Sequence, residues 1–101
     1  MLLGNILIVP FRYINLVDRR NIVGNRIRQA RKSAKPPITQ TDLAARLQIQ
    51  GIRIERSGLS KIETGRRPVT DIEAVAFAKA LKVSVAWLLE EKNDSVETPA
   101  K

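Results

Sequence analysis

The stretch that decides the fold is RSGLSKIETGRRP, residues 56–68. At about 100° per residue, a helix over this stretch places Leu59 and Ile62 on one side. The opposite side carries small polar and cationic residues, namely Ser57, Ser60, Lys61 and Thr64. Gly65 is typical of a helix end, and two arginines follow it. Such a helix suits the DNA major groove, which admits a helix and presents base-edge donors and acceptors to it.

Length and charge limit the class of protein. The chain has 101 residues, which is room for one small domain. Its formal net charge is +8, with 14 basic and 4 acidic side chains in residues 12–67 but 4 basic and 6 acidic in residues 68–101. A polyanion such as DNA or RNA is the natural partner of the basic part, although a merely solubilising surface gives the same balance.

Cysteine and histidine are both absent from the chain. Their absence excludes disulfides, thiolate chemistry, zinc fingers and every catalytic site that depends on histidine. The sequence also lacks a glycine-rich phosphate loop and a convincing carboxylate pair, so we expect no enzyme, no cofactor and no metal site. Because the chain has no disulfide, it needs no oxidising compartment, and a cytoplasmic location fits.

Residues 1–21 are apolar, but they match neither a membrane span nor a secretory signal. Their longest apolar run, residues 6–11, is far short of a span, and a signal would need early positive charge and a small-residue cleavage site. Three interpretations stay open: an arm that packs on the domain or on a second copy, a disordered segment, or upstream sequence from an early start codon. We expect a poorly anchored extension over 1–21, a domain over 22–91 and a polar tail over 92–101.

From residue 22 onward the pattern predicts helices separated by turns, over about residues 22–32, 40–48, 57–64, 71–81 and 85–91. Sequences of the capping-box type predict the starts of the second and fourth helices at Thr39 and Thr70, and Ser84 should cap the fifth. The fourth helix is apolar almost all round, including Ile72 and Val75, which is typical of the middle of a bundle. The other expected core residues are Val23, Ile27, Ala30, Leu43, Ala44, Leu47, Trp87, Leu88 and Leu89.

Residues 22–91 resemble the helix-turn-helix domains of the Cro/repressor type, known as the XRE family. Four segments in order carry the resemblance: Arg26-Ile27-Arg28 with Arg31; Thr39-Gln40 before DLAARL (42–47); LSKIE (59–63) with Gly65-Arg66-Arg67; and ALKVS (80–84) with WLL (87–89). The resemblance implies an all-α fold, a compact five-helix bundle that is lambda-repressor-like. In that fold the second helix crosses the DNA backbone and the third enters the major groove.

The resemblance also implies which residues read bases. Matched position by position, these are Arg56, Ser57 and Lys61. The chemistry agrees, because lysine can donate to guanine acceptors and a serine hydroxyl can donate or accept. Each residue, taken singly, can also be an ordinary solvated side chain. The prediction that they read bases therefore depends on their grouping on one side of the helix.

Phosphate-binding residues and a structural ion pair are implied in the same way. The phosphate-binding residues are Gln40, Arg66 and Arg67, and Arg53 and Arg26 are further candidates. Gln40 stands at a predicted helix N-terminus, where backbone amides also attract phosphate. Arg31 and Glu63 are expected to pair with each other and to lock the first helix to the third, without contacting DNA.

Two links depart from the family pattern. Residues 33–38, which include two prolines, are longer than the usual link. Residues 48–56 exceed the usual tight turn between the second and third helices by about five residues. We therefore expect an extended turn there, anchored on the core by Ile52 or Ile54. The entry angle of the third helix, and whether Arg53 reaches a phosphate, stay open.

Together these observations favour sequence-specific binding of double-stranded DNA by a bacterial or phage transcriptional regulator, most simply a repressor. A homodimer is expected, because such domains bind half-sites one helical turn apart. Its surface would be the fifth helix with the tail, or the N-terminal extension. The alternative is an antitoxin or a protein-interaction adaptor on the same domain, with a small protein partner.

Overall fold

The computed structural model describes residues 19–90, in which five α-helices are joined by turns. They are α1 (Gly24–Ser33), α2 (Gln40–Ile49), α3 (Arg56–Glu63), α4 (Asp71–Leu81) and α5 (Val85–Leu89). Over these residues the chain forms no strand, so the all-α fold is confirmed, and every helix end lies within two residues of its predicted position. The predicted tail over 92–101 lies outside the described residues, as does the extension over 1–21 except for its last three positions.

Side-chain caps fix the starts of three helices, as the sequence predicts. The Thr39 hydroxyl accepts from the Asp42 amide at 3.0 Å, and the Asp42 carboxylate accepts from the Thr39 amide at 3.3 Å. Thr70 forms the same reciprocal pair with Glu73 before α4, and the Ser84 hydroxyl accepts from the amide of Trp87 in α5. Each bond satisfies an amide that has no partner inside its own helix.

Gly65 ends α3 in a left-handed conformation, with φ of +80°. Its amide donates to the Ile62 carbonyl at 2.9 Å, and the Arg66 amide donates to the Lys61 carbonyl at 2.8 Å. This pair of bonds is the Schellman arrangement, in which glycine avoids the steric cost of positive φ. The chain therefore leaves α3 abruptly, directly before the two arginines.

The core lies between two groups of helices. α3 packs against α1 and α2, whereas α4 packs against α1, α2 and α5. The largest fully buried side chains are Ile27, Leu43, Leu47, Leu59, Ile62, Phe77 and Leu88. In the extended turn between α2 and α3, Ile54 is buried and Ile52 packs beside it, so this turn is anchored on the core as expected.

The expectation that α4 is buried on all sides is wrong. Its inner side is buried through four alanines together with Phe77 and Leu81, but Ile72 is 69% exposed and Val75 is 42% exposed. In α5, Leu89 was also expected in the core and is 46% exposed. The apolar pattern of α4 comes largely from small alanines that allow close packing on one side. In residues 19–90 no sixth helix covers the outer side.

None of the helices within residues 19–90 has both the length and the apolar character needed to cross a bilayer. The longest, α4, has 11 residues. A membrane-spanning helix needs about 20 apolar residues.

Candidate nucleic-acid interface

The two sides of α3 differ completely in exposure. Leu59 and Ile62 have no exposed surface and lie in the core. The exposed residues of the same helix and its C-cap are Arg56, Ser57, Ser60, Lys61 and Thr64. The Thr64 hydroxyl donates to the Ser60 and Lys61 carbonyls at 3.1 Å, so it faces outward mainly as an acceptor. The exposed side thus offers two cationic donors and several hydroxyls.

A basic groove runs beside this helix, between the end of α1 and the start of α2. Besides Arg31 and Glu63, its polar lining consists of Arg28, Lys32, Thr39, Gln40, Thr41, Arg56, Ser60 and Thr64. Sequence reasoning missed Arg28 and Lys32 as binding residues. They stand four residues apart on the exposed side of α1, and this spacing of two cations was the signal that could have found them.

An ion pair between Arg31 and Glu63 forms the floor of the groove. The Arg31 Nε donates to Glu63 Oε2 at 2.7 Å and its Nη2 donates to Oε1 at 2.9 Å, while Nη1 donates to the Ile38 carbonyl at 3.0 Å. The side chain of Glu63 is only 3% exposed. Its hydrogen bonds raise the pKa of Arg31 above the ordinary value, against the opposing effect of burial. The pair joins α1 to α3.

In this geometry α3 packs against α2, and the polar side of α3 faces outward next to a basic groove. A helix-turn-helix family model matches residues 27–88 of the chain. The chain belongs to this family. It is the XRE-type family that the sequence suggested, a family of DNA-binding regulatory domains. Searches of curated proteins and of solved structures found no match.

In this helix-turn-helix domain, Gln40 is the first residue of α2 and lines the basic groove. Its Nε2 donates to Glu63 Oε1 at 3.2 Å, so the side chain also belongs to the ion-pair network. Arg53 and Arg66 are both exposed, one in the turn before α3 and the other directly after it. The predicted phosphate-binding residues therefore surround α3 and do not form one cluster.

Arg67 is held by a carboxylate. Its Nη1 and Nη2 donate to the two oxygens of Glu73 at 3.2 and 3.1 Å, and these bonds are the main cause that lowers the pKa of Glu73. Much of the Arg67 charge is thereby offset inside the domain. The two residues are six positions apart across the turn before α4, a separation that no helical periodicity indicates.

Arg26 lies away from α3. Its guanidinium stacks over the Trp87 ring, 4.4 Å from the centroid, and its Nη2 donates to Glu90 at 3.4 Å. These contacts place Arg26 on the side of α1 that packs against α5. Its side chain contributes to packing there, and the geometry gives no support to Arg26 as a phosphate-binding residue.

Asn21, which sequence analysis placed in the N-terminal extension, is part of the packed domain. Its Nδ2 donates to the carbonyls of Ile62 and Arg67 at 3.1 and 2.8 Å, and its Oδ1 accepts from the Gly24 amide at 2.7 Å. One side chain thus joins the start of α1 to the end of α3. The partners in and after α3 are more than 40 positions away along the chain, so no local pattern could have found them.

Proposed function

We propose that this protein binds double-stranded DNA in a sequence-specific manner and regulates transcription, most simply as a bacterial or phage repressor. One observation carries the proposal: α3 buries Leu59 and Ile62 completely while its polar and cationic side stays open to solvent. The basic charge of residues 12–67 supports the same partner. The protein would act in the cytoplasm, through binding alone and without a cofactor.

Arg56, Ser57 and Lys61 are the proposed base-reading residues. Their side chains are exposed along one side of α3, and none of them donates or accepts a side-chain hydrogen bond within residues 19–90. They are therefore free to bind base edges. Arginine and lysine can donate to the O6 and N7 acceptors of guanine, and serine can adapt to either polarity.

The proposed phosphate contacts lie around these three base-reading residues. Arg53 precedes α3, Arg66 follows it, and Gln40 lies at the N-terminus of α2, where the helix dipole favours an anion. Arg28 and Lys32 add positive charge along the groove. We propose that Arg67 contributes less to phosphate binding than the other arginines, because Glu73 offsets its charge.

The test is a selection of binding sites from random duplex DNA with the purified protein, followed by measurements on Lys61→Ala. The wild type should enrich one motif. Lys61→Ala should lose about 1–3 kcal/mol of discrimination between that motif and random DNA, with an unchanged melting temperature. Lys79→Ala is the matched control, because Lys79 is an exposed lysine on α4, and it should keep full discrimination.

Two results would contradict the proposal at different levels. Failure to enrich any motif would reject sequence-specific binding. A motif that Lys61→Ala recognises as well as the wild type would reject Lys61 as a reader and leave DNA binding itself intact.

We also propose that the protein is a homodimer. Ile22, Val75 and Leu89 are 40%, 42% and 46% exposed, and they line one apolar groove formed by the start of α1 with α4 and α5. An exposed patch of this kind is typical of a protein contact. A second copy bound there would supply the second reading helix that a two-fold operator needs.

Sedimentation analysis tests the dimer. The wild type should sediment as a dimer and Val75→Glu as a monomer, because a carboxylate in an apolar interface is strongly unfavourable. A wild type that is monomeric, with or without DNA, would instead favour the alternative, in which a small protein partner of an antitoxin or adaptor covers the patch.

A further inference from the structure

The residues directly before α1 are fixed against the end of α3. The backbone amide of Arg20 donates to the Gly65 carbonyl at 2.8 Å. The next residue, Asn21, bonds two further carbonyls in and after α3, as described above. The Gly65 and Arg67 carbonyls lie beyond the last residue of α3, where partners inside the helix are missing. The position of Arg20 is therefore set by the end of the reading helix.

Arg19 lies against the same glycine. A Cβ atom placed on Gly65 would lie 3.2 Å from Arg19 Cδ and 3.4 Å from its Cγ, so the aliphatic part of Arg19 covers this residue. Arg19 and Arg20 are both exposed, and neither pairs with a carboxylate within residues 19–90. Packing the stem while the charged end remains in solvent is typical of arginine at a binding surface.

We propose that Arg19 and Arg20 bind the DNA phosphate backbone next to Arg66, as an additional phosphate-binding segment. This inference rests on the proposed function, because it assumes that α3 enters the major groove. The Arg20 amide bonds the residue just before Arg66, so all three cations lie at one end of α3. Arg67 at that end pairs with Glu73, which offsets its charge, so Arg19 and Arg20 would supply the unpaired positive charge there.

The physical consequence is a defined salt dependence. Each phosphate neutralised by a cation releases counterions and adds about 0.9 to the slope of log affinity against log salt concentration. Removing both arginine charges should lower this slope by about 2. The effect should be equal on the selected motif and on random DNA, because phosphate contacts carry no direct sequence information.

The experiment is a salt titration of binding to a labelled random-sequence duplex, with wild type, R19Q/R20Q and K79Q/K82Q. The control double variant removes the same number of charges from exposed positions at the end of α4. R19Q/R20Q should flatten the salt dependence and K79Q/K82Q should leave it unchanged. R19K/R20K should restore the slope, since a phosphate contact depends on the charge.

The outcomes separate this inference from the function on which it rests. If the wild type binds and R19Q/R20Q has the same slope, the additional segment is rejected while DNA binding stands. If R19Q/R20Q and K79Q/K82Q lower the slope equally, the effect is one of net charge and the inference is also rejected. A wild type without affinity for duplex DNA rejects both. A melting curve of R19Q/R20Q should match the wild type, because the bond to Gly65 uses the Arg20 backbone.

Discussion

Replacing Glu63 with glutamine should destabilise the domain strongly, because Arg31 and Gln40 donate to the same carboxylate. The Arg31 bonds measure 2.7 and 2.9 Å and the Gln40 bond measures 3.2 Å. The Arg31 side chain is only 11% exposed, so water cannot replace the lost negative charge. Removing one partner of a buried ion pair costs about 3–5 kcal/mol, and we expect about 3 kcal/mol because glutamine keeps one oxygen acceptor.

Thermal melting followed by circular dichroism, together with urea titration, measures this cost. In a domain of this size, 1 kcal/mol corresponds to about 4–8 °C, so the melting temperature of Glu63→Gln should fall by at least about 12 °C. Glu90→Gln is the matched control, because it also removes a carboxylate that pairs with an arginine of α1. Its pair with Arg26 measures 3.4 Å and the Glu90 side chain is 59% exposed, so the expected cost is about 0–1 kcal/mol. Equal costs for the two variants would refute the assignment of Glu63 as a buried structural partner.

Three further predictions concern packing, pH and capping. Gly24→Ala should lose about 1–3 kcal/mol of stability, since its new methyl group would collide with backbone of α3. Gly58→Ala would meet only the Ile54 Cγ2 methyl group, at 3.1 Å, and should lose less than about 1 kcal/mol because alanine also favours the helix; urea titration compares the two variants. The folded pKa of Glu73 lies below its ordinary value of 4.5, because Arg67 donates to it, so its stabilisation is present above pH 4.5 and is lost as the pH falls through the folded pKa. Glu73→Gln should therefore weaken the acid dependence of the melting temperature between those two pKa values, and an unchanged dependence would argue against the pair. Thr39→Ala should cost about 0.5–2 kcal/mol in the same melts, through loss of the α2 cap, and a smaller loss would mean that the cap is dispensable.

The helix ends could be predicted from the sequence because their causes are local. A cap such as Thr39 acts on an amide three residues away, and Gly65 ends α3 through its own φ angle. The two sides of α3 follow from the same short range, since helical periodicity alone separates Leu59 from Lys61. Patterns of this range can be found in a single sequence, and they define the exposed polar side of α3.

The remaining features depend on contacts between distant parts of the chain. The apolar character of Val75 does not reveal which side of α4 its neighbours cover. The charge of Arg26 does not reveal that Trp87 lies beneath it, more than 60 residues away along the chain. Asn21 reads as one polar residue at the end of an apolar segment, and its role depends on carbonyls of α3. The sequence gives the number of cationic side chains. Which of them are left without a contact inside the domain, and so can bind a phosphate, depends on the fold.

Different residues of α3 and its surroundings stabilise the fold and form the proposed DNA-reading side. The end of α3 holds the domain together through Glu63, the Asn21 hydrogen bonds and the close approach of Gly24. The proposed readers along its exposed side take no part in that network within residues 19–90, since the side chains of Ser57 and Lys61 bond none of its members. If these residues read bases as proposed, a substitution at one of them should change the preferred DNA sequence at little cost in stability. A substitution in the network of Glu63, Asn21 and Gly24 should instead alter the packing of α3 and with it the position of all the proposed readers.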